Sequence, residues 1–519
     1  MKLPLTITLF LLIGLSSAHA TDKGLRPNIL FCIMDDASYP HMGAYGTDWV
    51  QTPAFDRIAA EGILFQNAYT PNAKCAPSRA SVLTGRNSWQ LDQIGNHLAV
   101  WPEQRYITAF EALGNNGYHA GWTGKGWAPG IIEKGAERLL TGKEYNAIRT
   151  NPPTAEISNK HYSANFQQFL DDNEQGKPWV FWFGPHEPHR FYTYGSGAEI
   201  GGKQLSDIDK VPAFWPDNTV VRNDMLDYAF EIEYADQQLG EILKILEERG
   251  QLDNTLIVVT ADNGMPFPRC KGLEYEYSNH LPLAIMWKAG IRNPGRSESG
   301  FVSFVDFAPT FLKVAGVDWA SSGMEPTSGK DLVEIFEDSY RKQDRSYILL
   351  GQERHDYGRP GNQGYPIRSI IRNGFLYMHN FKPDLWPAGN PETGYLNTDG
   401  SPTKTVILNM RREDADSHYW QLNFGKNPQE QLYHIAVDPE CLVNLASRED
   451  YLPLKESLRA QLFADLARQG DPRVVGPDGD VFDRYPWSEG DTAKDFYERY
   501  MAGQIKEYQT GWVEPTDYE

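Results

Sequence analysis

From Ile29 to Met34 the chain is unbroken apolar, and the run ends in two acids, Asp35 and Asp36. Without alternation, such a run predicts a strand buried on both faces of a parallel sheet, with two carboxylates at its C-terminal edge. Strand-like runs recur at 118–122, 179–183, 256–260 and 281–287. Thr52-Pro53 predicts a helix start, with Thr as N-cap, Pro in the first turn, and Phe55, Ile58 and Ala59 on one face. A long helix is expected over 223–249, where Leu226, Phe230, Ile232, Leu239, Ile242 and Leu246 recur at mixed three- and four-residue steps. Strands alternating with helices predict an α/β fold built on a large, mostly parallel sheet flanked by helices. Ligands of such sheets sit beyond the strand C-termini. Two strands here end in chemistry, at Asp35-Asp36 and at Asp262-Asn263-Gly264. After Gly323 the texture changes to short runs at 347–350, 367–371 and 375–379 between Gly, Asn and Pro turns, then a helical pattern near 452–466. That predicts a smaller C-terminal antiparallel sheet and a division into residues 21–325 and 326–519. The tail from Pro477, acidic and aromatic, yields no element.

Residues 1–20 read as a signal peptide: Lys2, an apolar stretch from Leu3 to Leu15, then small residues up to Ala20. Cleavage after Ala20 implies a periplasmic or secreted protein with no membrane span in the mature chain. No Asn-x-Ser/Thr acceptor occurs, which favours a bacterial source. The chain of 519 residues carries 49 Lys+Arg against 69 Asp+Glu, a formal charge of −20. That excludes a globally basic nucleic-acid binder. With 40% hydrophobic residues the chain can fill a large core, and 4 cysteines are too few for a disulfide scaffold.

The sharpest chemical signal is Cys75-Ala76-Pro77-Ser78-Arg79, continued to Thr84-Gly85-Arg86. Pro and Ser open a short helix that Gly85 closes, placing Cys75 at a helix N-terminus, where the free amides favour negative charge. The pattern C-x-P-S-R followed by T-G-R resembles that of the type I sulfatases of the alkaline phosphatase superfamily. The resemblance runs from about Pro27 to Leu445. It implies an alkaline-phosphatase-like catalytic domain over 21–325, and a C-terminal subdomain with substrate-reading loops over 326–519. It also implies that a maturation enzyme converts Cys75 to formylglycine. The hydrated aldehyde is then the nucleophile: one hydroxyl takes the sulfuryl group and the other expels sulfate. Asp35, Asp36, Asp262 and Asn263, with residue 75, match the family's metal site. Their oxygens suit Ca²⁺, or Mg²⁺, rather than Zn²⁺. Lys125 and Lys271 match positions that hold the sulfate oxygens, Arg79 orients the nucleophile, and His186 is the general acid or a sulfate-binding donor, ahead of His189.

The departure is Trp127, where many sulfatases carry a His two residues after the lysine. His280 or His355 is then expected to take that task. Within the family the likeness leans toward N-sulfoglucosamine sulfohydrolase-like (heparan N-sulfatase-like) members, on Asp262 to Pro268, on His186-Glu187-Pro188-His189-Arg190, and on Tyr365-Pro366-Ile367-Arg368-Ser369. Arg354 and His355 lie where such enzymes place substrate-reading residues. With Cys75 modified, Cys32, Cys270 and Cys441 leave room for at most one disulfide.

The implied activity is release of sulfate from a sulfated carbohydrate. The alternatives are a sulfamidase, a phosphatase or phosphodiesterase of the same superfamily, and a non-catalytic carbohydrate-binding relative. A zinc phosphatase is disfavoured because neither acid pair contains a His. The net charge does not oppose an anionic substrate, because charges beyond about 10 Å are screened and the cations gather locally.

Overall fold

The computed structural model describes residues 26–339, 343–506 and 510–519. The expected signal peptide, residues 1–20, lies outside them. Among the described residues, nine strands form the main sheet. At its centre Asn28–Met34 runs parallel to Thr255–Ala261 on one side and to Trp179–Gly184 on the other. His119–Gly124 continues the parallel order beyond Trp179–Gly184. His280–Met286 is antiparallel to both its neighbours, Thr255–Ala261 and Ile63–Tyr69. Its apolar run was readable, but its direction was not, because buried strands of either sense have the same pattern.

The unbroken apolar runs reflect two buried faces. Leu30, Cys32 and Met34 point into one core with Phe166, Phe169, Ile232 and Leu239. Ile29, Phe31 and Ile33 point into the other with Leu83, Phe110, Phe307 and Phe311. The long helix spans Thr219–Glu248, with Asn218 as its N-cap through the Val220 and Val221 amides. The helix opened by Pro53 spans Pro53–Glu61, but Thr52 does not cap it. Its first free amides, on Ala54 and Phe55, donate to the Asp236 carboxylate from the long helix, an ionised acceptor from a distant segment that meets two donors at once.

The smaller sheet is antiparallel, in the order Tyr347–Gln352, Ile367–Arg372, Phe375–Asn380, Glu430–Tyr433. One face packs on Leu458, Leu462 and Leu466 of the helix Leu452–Arg468. The other packs on Tyr69, Leu273 and Tyr275 from the larger sheet's side of the molecule. The tail folds back: Phe496, Ile505 and Val513 pack with Leu98, Tyr357 and Leu396. All four cysteines are free and buried, so Cys32, Cys270 and Cys441 form no disulfide. Among the described residues no helix is long and apolar enough to cross a membrane.

Candidate active site

Strand register builds the site. Met34 pairs with Ala261, so Asp35-Asp36 and Asp262-Asn263 leave the sheet side by side. The Asp262 amide donates to Met34 O (3.0 Å) and the Asp36 amide to Asp262 Oδ1 (3.0 Å). Gly124 pairs with Gly184 at the neighbouring strand ends, which sets Lys125 beside the same edge. Gly124 sits at φ +87°, and a Cβ there would lie 1.8 Å from Gly184 O, so only glycine allows this approach.

Cys75 is the first residue of the helix Cys75–Thr84, closed by Gly85 at φ +68°. Its Sγ lies 3.5 Å from Asp35 Oδ1 and 3.8 Å from Asp36 Oδ1. Burial pushes the Cys75 thiol well above its usual range, and the charges of Lys125 and Lys271 do not reverse that. A thiolate is therefore disfavoured at this position.

Arg79, fully buried, donates through Nε to Asp262 Oδ2 (2.8 Å), through Nη2 to Asp35 Oδ1 (3.3 Å) and through Nη1 to the carbonyls of Lys125 and Gly126 (2.9 and 3.1 Å). Lys125 Nζ reaches both Asp35 oxygens (2.8 and 2.6 Å). Lys271 Nζ bridges Asp36 Oδ2 (2.7 Å) and Asp399 Oδ2 (2.8 Å). Burial raises Asp35, but Lys125 and Arg79 hold it well below the usual carboxylate range. Asp262 moves the other way, because burial, Asp35 and Asp36 outweigh Arg79.

One carboxylate oxygen each of Asp35, Asp36 and Asp262 and the Cys75 sulfur lie within 4.8 Å of one another. Asn263 Nδ2 donates to Asp36 Oδ1 (2.7 Å), while its Oδ1 is buried with no partner. Three carboxylates around an orphaned amide oxygen form a hard donor set that fits an oxygen-loving cation. Asp36 holds a left-handed backbone, φ +77°, a strained conformation for a non-glycine residue.

The two histidines of the 186–190 segment divide. His186 Nε2 is 2.9 Å from Lys160 Nζ and accepts from it. Burial, with Lys160 beside it, pushes His186 down to about 3. His189 Nε2 is 3.8 Å from Asp36 Oδ2, and its ring lines a cavity of about 250 Å³ with Lys74, Cys75, His97, Lys125, Lys271 and Asp399. Glu489 and Trp512 close that cavity from the tail.

Trp127 donates through Nε1 to Ala76 O (3.0 Å) and so braces the first turn of the Cys75 helix. Neither expected substitute for its missing imidazole reaches the cavity. His280 is stacked between Tyr39 and Tyr69, with its nitrogens on Glu276 and Gln66 O. His355 has its nitrogens against Asn72 and Asn397. Arg354 is also kept from the cavity: its guanidinium donates to the carbonyls of Asp483, Tyr485 and Pro486 and stacks on Trp487. The Gln352–Asp356 segment instead contributes Asp356, two residues from the expected Arg354. Lys74, His97, Asp356 and Asp399 carried no motif, and only the fold brings them together.

A metal-ready acid cluster at the strand ends of an α/β sheet, facing a helix-borne Cys among fixed cations, defines a hydrolase centre for an anionic ester. The match is to the Sulfatase family model over residues 27–317, and the chain belongs to that family. The chain is 27% identical to an ulvan-active sulfatase of Formosa agariphila, across 92% of this chain and 81% of the relative. It is 26% identical to human N-sulphoglucosamine sulphohydrolase, across 92% of this chain and 96% of the relative. A solved structure of a protein in complex with its substrate D-glucosamine-2-N,6-O-disulfate superposes with TM-score 0.62 at 20% identity, covering 87% of this chain and 99% of that one. The alkaline-phosphatase-like sulfatase fold and the sulfatase class of the enzyme follow.

Proposed function

We propose that this enzyme releases sulfate from a sulfated carbohydrate, with residue 75 as formylglycine and a calcium ion at the strand ends. The observation that carries the reading is the convergence of Cys75, Asp35, Asp36, Asp262 and Asn263, with Arg79, Lys125 and Lys271 around them. The oxygens of Asp35, Asp36, Asp262 and Asn263 would hold the cation, which supplies positive charge against the substrate's sulfate oxygens. A formylglycine at 75 supplies a geminal diol where a buried thiol is a poor nucleophile.

The chain's own residues divide the remaining work. Arg79 locks Asp35 and Asp262 and, through the carbonyls of Lys125 and Gly126, the strand end that carries Lys125. Lys125 and Lys271 meet the charge spread over the transferring SO₃ group. Lys160 fixes His186 by donating to Nε2, leaving Nδ1 as that ring's donor. His186 lines a neighbouring cavity with Lys125 and Trp127 rather than the one that holds Cys75, so it is read as a donor beside Lys125 and not as the acid to the leaving atom. That leaves the leaving atom to His189, which faces the cavity. The cavity suits one sugar unit, being smaller than the roughly 300–1,000 Å³ of ordinary ligand sites.

A sulfamidase is the second reading, favoured by the near full-length likeness to human N-sulphoglucosamine sulphohydrolase. Export and a maturation enzyme complete the proposal. The mass of the residue-75 peptide from the native host tests it: conversion removes one sulfur and two hydrogens and adds one oxygen. An unmodified thiol in active protein would contradict it.

A further inference from the structure

His97 was not singled out by any motif, yet its position is over-determined. Nδ1 is 2.7 Å from Asp356 Oδ1, and Lys74 Nζ sits 2.8 Å from Asp356 Oδ2. Lys74 also donates to Asn397 O (3.2 Å). The backbone is held as firmly: the His97 amide donates to Arg354 O (3.0 Å), the Arg354 amide to Asn96 Oδ1 (3.2 Å), and the Ser488 amide to Leu98 O (2.8 Å). Arg354 thus contributes its main chain to the site by carrying His97. The Ser488 contact ties the same segment to the tail that supplies Glu489 and Trp512.

What this arrangement leaves over is one atom. His97 Nε2 is buried and has no partner among the described residues, and His97 is one of the residues that line the cavity with Cys75, Lys125, His189 and Lys271. A buried imidazole nitrogen without a partner loses free energy unless a ligand completes it. Asp356 is kept ionised: burial raises it, but Lys74 and His97 hold it well below the carboxylate range. An ionised carboxylate at Nδ1 makes that nitrogen the donor, and burial, which pushes His97 down to about 4, keeps the ring neutral, so Nε2 is an acceptor.

Resting on the sulfatase reading above, the geometry points to His97 as a substrate-reading residue, whose Nε2 accepts a hydrogen bond from a hydroxyl or N–H of the sugar that carries the scissile sulfate. Two consequences follow from the chemistry of an acceptor. A second sulfate at that sugar position has no proton to give and meets a lone pair, so it is rejected. A free hydroxyl or an amine N–H is accepted. Asp356 and Lys74 position His97 and do not touch the substrate through it.

The test is coupled substitution of enzyme and substrate. Wild type, His97→Ala and His97→Gln are assayed for sulfate release on a cleaved sulfated monosaccharide and on analogues with each remaining hydroxyl or amine singly methylated. Melting temperature is measured for each variant. Methylation at one position should lower wild-type kcat/KM by about 10- to 100-fold and lower that of His97→Ala no further. Methylation elsewhere should act equally on wild type and variant. His97→Gln, which keeps an acceptor, should recover part of the loss. If every methylation acts equally on wild type and His97→Ala, or His97→Ala costs nothing on the parent sugar, the assignment is overturned. If wild type with confirmed formylglycine releases sulfate from no sugar, the sulfatase reading fails instead, and the two failures are distinct.

Discussion

Lys271→Met isolates one charge. Lys271 Nζ is buried between Asp36 and Asp399 at 2.7 and 2.8 Å. Asp36 keeps a second donor in Asn263 Nδ2. Asp399 loses its main compensation: burial raises it, and Lys271, His189 and Lys74 hold it well below the usual range. Breaking a buried pair from one side costs about 3–5 kcal/mol, roughly a fifth or more of an ordinary domain's stability. At about 2.1 cal/mol/K per residue, a chain of 519 residues has an unfolding entropy near 1.1 kcal/mol/K. The expected drop in Tm at pH 7 is therefore about 3–5 °C. The sign with pH is fixed. A depressed carboxylate contributes stability above its unfolded pKa of about 3.9 and loses it as pH falls. The gap between wild type and variant should be full at pH 7 and narrow below about pH 4. The same substitution removes a cation proposed to meet the transferring group, and on that proposal kcat should fall by about 10²–10³. Calorimetric melts at both pH values with a sulfate-release assay measure all three effects. A Tm change under about 1 °C at pH 7, or a gap that does not narrow in acid, would refute the reasoning.

Other outcomes follow from the same geometry. Chelating calcium should cost about 2.7 kcal/mol if the free ion stood at a hundred times its Kd, read as a Tm loss of about 2–3 °C that calcium restores; no shift would remove the cation from the account. Burial pushes His41, His97 and His186 down to about 3, about 4 and about 3. Below about pH 6.5 the unfolded chain binds protons at these histidines that the folded chain does not, while buried Glu231 and Asp236, pushed up to about 9 and about 7, act with the opposite sign; His41→Gln should therefore remove a loss of about 1.4 kcal/mol per pH unit that wild type carries between pH 6.5 and 4.5, and an identical pH dependence of Tm in the two proteins would contradict this. His189→Gln should cost far more on sugar sulfates than on aryl sulfates with good leaving groups, whereas His186→Gln should cost the same on both; the reverse pattern would exchange their roles. Trp512→Ala, which opens the tail's wall of the cavity, should raise KM for a sulfated sugar about tenfold with kcat little changed; an unaltered KM would place the tail outside substrate binding.

The sequence revealed those parts of the site that are local in the chain. Asp35-Asp36 and Asp262-Asn263 stand at the ends of apolar runs, and a buried parallel strand has no other way to present paired acids. Cys75 to Arg79 is one helical turn, so its motif and its geometry coincide. Parts assembled from distant segments were not legible. Asp399, 128 residues from Lys271, has no neighbour in the chain that marks it. Arg354 and Asp356 lie two apart, and only the packing of the Tyr347–Gln352 strand end decides that Asp356 faces the cavity while Arg354 turns to the tail. The tail itself yielded no element because its order comes from Leu98, Tyr357 and Leu396 beneath it. Thr52 was read as a cap on local grounds, and Asp236, 182 residues from Ala54, took the amides.

The net charge of −20 is compatible with an anionic substrate, because Asp35, Asp36, Asp262 and Asp399 are among the acids and are paired with Arg79, Lys125 and Lys271. The central claim is that this cavity releases sulfate through residue 75. Inorganic sulfate release from defined O- and N-sulfated sugars, by wild type and by Cys75→Ala co-expressed with a formylglycine-generating enzyme, tests it most directly. The account predicts release from at least one sugar by wild type and none above background by Cys75→Ala. Equal release by both proteins would contradict it.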